Sequence, residues 1–225
     1  MSLTFADLPL RKETIAALAE HGFTSPFPIQ EMVMPIALAD GDVIGQAKTG
    51  TGKTAAFGLP LLQLIQIEKA EVQAVVLVPT RELGHQIHTN LEQFSKNIKG
   101  ISIAATCGGI PIKPQIERLK TPSHIVVATP GRLIDLIQRK AIDLKETQFL
   151  VLDEADEMVS ILKESLDEIV AELPKKHRTF LFSATLPGTI KQLIQNYLSK
   201  NVVEISANME TIGNQEIDHQ YIVVD

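Results

Sequence analysis

A single cysteine, Cys107, in 225 residues excludes an internal disulfide and any metal centre built from clustered thiolates. Its side chain is expected to serve as a small buried hydrophobe. No uninterrupted apolar stretch approaches the length a bilayer requires, and the segment MSLTFADLPLRKE lacks the apolar core of a secretory signal. A cytoplasmic protein without membrane contact is therefore expected. Positive charge is in deficit, with 21 Lys and Arg against 27 Asp and Glu and a net charge of -6. A broad basic surface is excluded, so any polyanion has to be held locally, by backbone N–H groups as much as by side chains. Internal repeats and low-complexity tracts are missing too. His85 and His88 lie three apart on a helical pattern but lack a third ligand at a useful spacing, which argues against a metal site there.

What is present is an apolar content of 44%, enough for one large α/β domain or two small ones. Short apolar runs recur at Val43-Ile44, Ala74 to Val78, Ile101 to Thr106, Ile125 to Ala128, Phe149 to Leu152, Thr179 to Phe182 and Val202 to Ile205. Most are separated by helical patterns, such as Met158, Ile161, Leu162, Leu166, Ile169 and Val170, or Ile190, Leu193, Ile194 and Tyr197. Alternation of this kind predicts an α/β fold with right-handed crossovers and a mainly parallel sheet covered by helices on both faces. Residues 4 to 39 read as helical, with Leu8, Ile15, Leu18 and Ala19 on one face. An ordered loop from His21 to Gln30 interrupts them, and a second helix runs from about Ile29 to Ala39. A helix from Lys53 carries Phe57, Leu61, Leu62 and Ile65 on its stripe, with a kink expected at Pro60. The domain is expected to span residues 1 to 205. Ser206 to Asn214 has linker character, and Ile217 to Val224 reads as a strand that begins another unit.

Ligands of open parallel sheets bind at the carboxyl ends of the strands, and six polar clusters fall there: Ala47 to Thr54, Pro79 to Leu83, Gly108-Gly109, Thr129 to Arg132, Asp153 to Asp156 and Ser183 to Thr185. The first, AKTGTGKT, lies between an apolar run and a helix, the order a nucleotide phosphate site needs. Gly50 and Gly52 let successive N–H groups from Ala47 through Thr49 and Thr51 turn inward, and the helix N-terminus adds partial positive charge. Lys53 brings a full charge to the β- and γ-phosphates, and Thr54 offers a hydroxyl to Mg2+. Glycine usually opens this pattern and Ala47 stands here, with the spacing intact. The bland alternative is a glycine-rich turn before a core helix. In Asp153 to Asp156, DEAD, one carboxylate suits Mg2+ and the next suits the attacking water, so Asp153 takes the metal and Glu154 the water. Ser183 and Thr185 of SAT can hydrogen-bond to that acidic turn, although a hydroxyl after a strand is more often a helix cap.

The set GFTSPFPIQ, AKTGTGKT, PTREL, Gly108-Gly109, TPGR, DEAD and SAT, in that order, resembles the N-terminal RecA-like domain of a DEAD-box ATP-dependent RNA helicase. The resemblance covers the chain from Phe5 to the linker and implies a RecA-like three-layer domain. It further implies ATP with Mg2+ as cofactor, Gln30 as the reader of the adenine edge, Phe5 stacked on the base, and Phe23 packed nearby. PTREL, the glycine pair and TPGR would hold one RNA strand by its backbone through Pro79, Thr80, Arg81, Gly108, Gly109, Thr129, Pro130, Gly131 and Arg132. An ion pair with Glu82 is the structural alternative for Arg81. A second RecA-like domain would complete the ATP site and the RNA track, a single copy of the chain is expected, and this portion alone should have little activity. Two departures stand out. Phe27 occupies a position that is usually threonine or serine, and EMVSILK, Glu157 to Lys163, replaces a segment resembling RMLDMGF. A P-loop ATPase acting on DNA and a non-catalytic RNA clamp are the alternative functions.

Overall fold

The computed structural model describes residues 3–199 and 201–207. Its centre is a seven-stranded sheet, all of whose pairs are parallel, made of β1 (Asp42–Gln46), β2 (Ala74–Leu77), β3 (Ile103–Thr106), β4 (Ile125–Ala128), β5 (Phe149–Asp153), β6 (Arg178–Ser183) and β7 (Val202–Ser206). The spatial order is β3-β4-β2-β5-β6-β1-β7. The inner strands are short and rich in Val, Ile and Leu because helices cover both faces, whereas the edge strand β7 is only partly buried and carries Glu204.

Neighbouring side chains divide between two cores. Val43, Val76, Val127, Val151 and Phe180 point into one, shared with α1 (Lys12–Glu20), α2 (Pro28–Leu38), α3 (Lys53–Leu64) and α4 (Arg81–Ser95). Ile44, Leu77, Val126, Leu152 and Leu181 point into the other, against α6 (Pro130–Gln138), α7 (Ala155–Ala171) and α8 (Gly188–Ile194). The shorter α5 (Ile112–Leu119) links β3 to β4. A RecA-like three-layer arrangement results.

Two packing details position the strand tips. Gly45 lies opposite Phe182 in the β1–β6 ladder, where a Cβ would meet the Phe182 ring at 2.6 Å. That ring also packs on Phe57 with centroids 5.3 Å apart, so α3 is seated directly over the ladder. Asp42 is buried because its carboxylate accepts the N–H groups of Thr179 and Ser199, stapling β6 and the β7 approach to the start of β1.

Some boundaries differ from expectation. Leu8 lies outside α1, after a single 3-10 turn at Phe5–Asp7. Helix α3 continues through Pro60 to Leu64, because burial of Leu59, Leu61 and Leu62 holds the turn helical without the missing donor. The interruption lies in α7, at Leu162 (φ -120, ψ 21). Strand β3 begins at Ile103, since the N–H of Ser102 donates to the His124 ring instead of to a neighbouring strand. The expected strand Ile217 to Val224 and most of the expected linker lie outside the described residues. Among the described residues no helix is long and apolar enough to cross a membrane.

Candidate functional site

Six polar clusters occupy neighbouring strand tips along the carboxyl rim. In spatial order they are Gly108-Gly109 after β3, Thr129 to Arg132 after β4, Pro79 to Leu83 after β2, Asp153 to Asp156 at β5, Ser183 to Thr185 at β6 and Ala47 to Thr54 after β1. A cleft of about 290 Å3 opens on the β5–β1 part of this rim. Its walls include Gln30, Thr49, Gly50, Gly52, Lys53, Thr54, Asp153 and Glu154, with Phe5, Phe23 and Phe27 at its aromatic end.

The glycine loop is held from two sides. The Ala47 N–H donates to the Ser183 carbonyl at 3.0 Å, and the Thr51 hydroxyl closes the turn on the Lys48 carbonyl at 2.7 Å. Gly50 and Gly52 have φ of 81° and 88°, in the left-handed region that side chains other than glycine enter at a cost. Gly52 caps α3, and its carbonyl accepts from Ala55 and Ala56 and also from the Gln30 amide. The Gln30 carbonyl oxygen in turn accepts the Phe27 N–H at 3.0 Å, so the GFTSPFPIQ loop and the glycine loop are braced together.

Lys53 is 6% exposed, and its ammonium has no hydrogen-bond partner among the described residues. A buried ammonium without a hydrogen bond is costly and marks a place suited to an anion. Asp153 lies on the same cleft, 3% exposed. Burial pushes its carboxyl up to about 6, against the opposing pull of the Lys53 charge and of the Glu154 N–H that it accepts. Glu154 follows in a left-handed conformation (φ 54, ψ 49) as the cap of α7. Asp156 sits on the side of β6, where the Thr185 hydroxyl donates to it at 2.6 Å and the Thr185 N–H at 3.3 Å. Burial tends to raise Asp156, but hydrogen bonds led by that of the Thr185 hydroxyl outweigh it and hold the carboxyl below its usual value. The Ser183 hydroxyl donates to the Thr185 carbonyl at 2.6 Å.

The aromatic residues divide by exposure. Phe5 is 4% exposed and forms part of the cleft floor, packed in the core, so it presents little face to a ligand. Phe23 is 41% exposed and meets Phe94 edge-on at 6.0 Å. Phe27 is 46% exposed and lies against Gly52.

On the other half of the rim, several groups expected to meet a polyanion are engaged internally. The Gly108 N–H donates to the Thr129 hydroxyl at 3.0 Å. The two Arg132 terminal nitrogens donate to Gln115 and to the Ile110 carbonyl, each at 2.8 Å, so this guanidinium braces the glycine-pair loop. Thr80 caps α4 by accepting from Leu83. Arg81 pairs with Glu82 at 3.1 Å, an exposed pair of small worth, and its Nη1 lies beside Gly109. Pro130 and Gly131 open α6.

One wall of the cleft was missed by sequence reasoning. Leu83, Gln86, Asn90 and Phe94 of α4 line it, and their spacing puts them on one helix face. In the sequence Leu83 ends the PTREL cluster and Phe94 belongs to no motif. The polar pair between them was the available signal.

The fold defines the molecule as a RecA-like α/β domain. The chain belongs to the DEAD/DEAH box helicase family, whose family model matches residues 27–193. It is 45% identical over 224 residues to the DEAD-box ATP-dependent RNA helicase CshA of Streptococcus pneumoniae, covering 99% of this chain and 42% of that protein. It is 40% identical to the ATP-dependent RNA helicase DeaD of Escherichia coli, covering 98% of this chain and 35% of the relative. The crystal structure of a DEAD box protein from the hyperthermophile Methanococcus jannaschii superposes with a TM-score of 0.86 at 37% identity, over 93% of this chain and 57% of that one. The chain thus spans less than half the length of these curated relatives.

Proposed function

We propose that this chain is the ATP-binding N-terminal RecA-like domain of an ATP-dependent RNA helicase, with Mg2+ as the metal and RNA as the polymer. The observation that carries the reading is the buried ammonium of Lys53, without a hydrogen-bond partner among the described residues, on the same cleft wall as Asp153 and Glu154. Lys53 takes the β- and γ-phosphates, and the glycine loop and the start of α3 surround them with N–H groups. Gln30 spends one N–H and one lone pair on the brace, which leaves one of each to read an adenine edge. This complementarity favours ATP over GTP.

The residues present fit a magnesium ion. Thr54 and Asp153 offer hard oxygen donors at the lysine end of the cleft, and no group of three or more His, Cys, Asp or Glu suited to an all-protein cage occurs among the described residues. When bound, magnesium would offset the charge of the triphosphate. Glu154 orients the attacking water and accepts its proton at the carboxylate. Asp156, Thr185 and Ser183 act as positioning residues that fix the acidic turn relative to β6. RNA is held by Thr80, Arg81, Gly109 and the start of α6, with Arg132 supporting the loop from behind.

The length of the relatives supports a second RecA-like domain in the whole protein, and strand separation requires both domains to close together. The test is ADP binding by the chain beside Lys53→Ala, together with ATP hydrolysis by the full-length protein with and without duplex RNA. Loss of binding in Lys53→Ala and stimulation by RNA but not DNA are expected. Undiminished binding, or equal stimulation by DNA, would overturn the proposal.

A further inference from the structure

We propose that Phe27 is a base-stacking residue of the nucleotide site, an inference that rests on the nucleotide reading above. A phenylalanine ring left 46% exposed forgoes burial that would stabilise the fold, so its position calls for an apolar partner. The ring is not on a featureless surface. It lines the cleft with Gln30, Lys53 and Asp153.

Two contacts fix its place. The Phe27 N–H donates to Gln30 Oε1 at 3.0 Å, and the backbone is extended at this position, as the cap of α2. A Cβ built on Gly52 would lie 2.9 Å from Phe27 Cδ2 and 2.2 Å from Gln30 Nε2, so the ring edge and the amide rest on the same point of the glycine loop. Any flat group that hydrogen-bonds to the Gln30 amide therefore comes within reach of the Phe27 ring. Phe5, 4% exposed, lies in the floor, and Phe23 is already packed on Phe94. Phe27 is thus the ring that shares the Gly52 contact with Gln30 and keeps open area to give to a purine. Stacking recognises the π-face and not the edge pattern, so Phe27 adds affinity for the base and leaves the choice between adenine and guanine to Gln30.

The test measures displacement of a fluorescent ADP by ADP and by inorganic pyrophosphate, in wild type, Phe27→Leu, Phe27→Thr and Phe27→Tyr, with thermal melting to check folding. Loss of stacking should weaken ADP by about 10-fold in Phe27→Leu and Phe27→Thr, leave pyrophosphate unchanged, and spare Phe27→Tyr. Unchanged ADP affinity in Phe27→Leu and Phe27→Thr would overturn the inference. A parallel loss of ADP and pyrophosphate would also overturn it, since the ring would then act only through the glycine loop. Failure of wild type to bind ADP, or full binding by Lys53→Ala, would instead remove the nucleotide reading and this inference with it.

Discussion

The side-chain amide of Gln30 donates to the carbonyl of Gly52 at 2.9 Å, tying the start of α2 to the cap of α3 across 22 residues of chain. Gln30→Ala removes this bond and the one from Phe27, and is expected to cost about 1–2 kcal/mol of stability. Gly52→Ala should cost about 1–3 kcal/mol, because the new methyl meets the amide nitrogen at 2.2 Å and the backbone is left-handed there. The two share one contact, so the double variant should lose less than the sum of the singles. Denaturant unfolding of the four proteins measures this, and strict additivity would show that the brace is absent in solution.

Glu154 and Lys140 are the two non-glycine residues with positive φ among those described, at 54° and 55°. Replacing either by glycine relieves a left-handed conformation worth about 1 kcal/mol. Both variants should therefore melt higher than wild type. Only Glu154→Gly should abolish ATP turnover in the full-length protein, while Lys140→Gly keeps it. A Glu154→Gly variant that melts no higher would remove the argument for strain at this position.

The carboxyl of Asp153, raised to about 6 by burial, gives stability a defined pH dependence. The folded chain holds this proton more tightly than the unfolded chain. The contribution is therefore fully present below the ordinary carboxyl value and is lost as pH rises through about 6. Asp153→Asn does not titrate. Without nucleotide or magnesium, its stability relative to wild type should improve between pH 5 and pH 7 by on the order of 1 kcal/mol. A difference that stays flat across that range would mean Asp153 is ionised throughout.

Asp156 and Thr185 lie 29 residues apart and are joined by two hydrogen bonds to one carboxylate oxygen. A double-mutant cycle of Asp156→Asn and Thr185→Ala should give a coupling of about 1 kcal/mol, favourable to the native pair. ADP affinity should stay near wild type in all three variants, since neither side chain lines the cleft. Zero coupling would separate the β6 tip from the acidic turn.

Each strand within the described residues was legible as an apolar run, most plainly β2, β4 and β5, where burial on both faces writes an unbroken hydrophobic signal, and least in β1 and β7, where the run is two residues long or broken by Glu204. Their lateral order was not, since nothing in Phe149 to Leu152 says that β2 will lie on one side and β6 on the other. Strand ends were legible only where local residues fix them. Asp42 belongs to β1 because Thr179 and Ser199, more than 130 residues away, donate to it. In the site, the Gly-Lys-Thr turn and the acidic turn could be read from spacing. The commitment of Arg132 to Gln115 and Ile110 could not, because that partnership exists only once α5 and α6 are brought side by side. The same holds for Gln86 and Asn90, whose role as a cleft wall depends on how α4 lies across the sheet.

The strand order also sorts what the chain order shuffles. The three tips proposed for RNA occupy β3, β4 and β2, and the three proposed for ATP occupy β5, β6 and β1. These two territories share one frontier, the β2–β5 ladder, where Leu77 faces Leu152. Within the sheet that ladder is the seam between them, and beside it α4 bridges the two, since Leu83 at the end of the Pro79 to Leu83 cluster also lines the cleft.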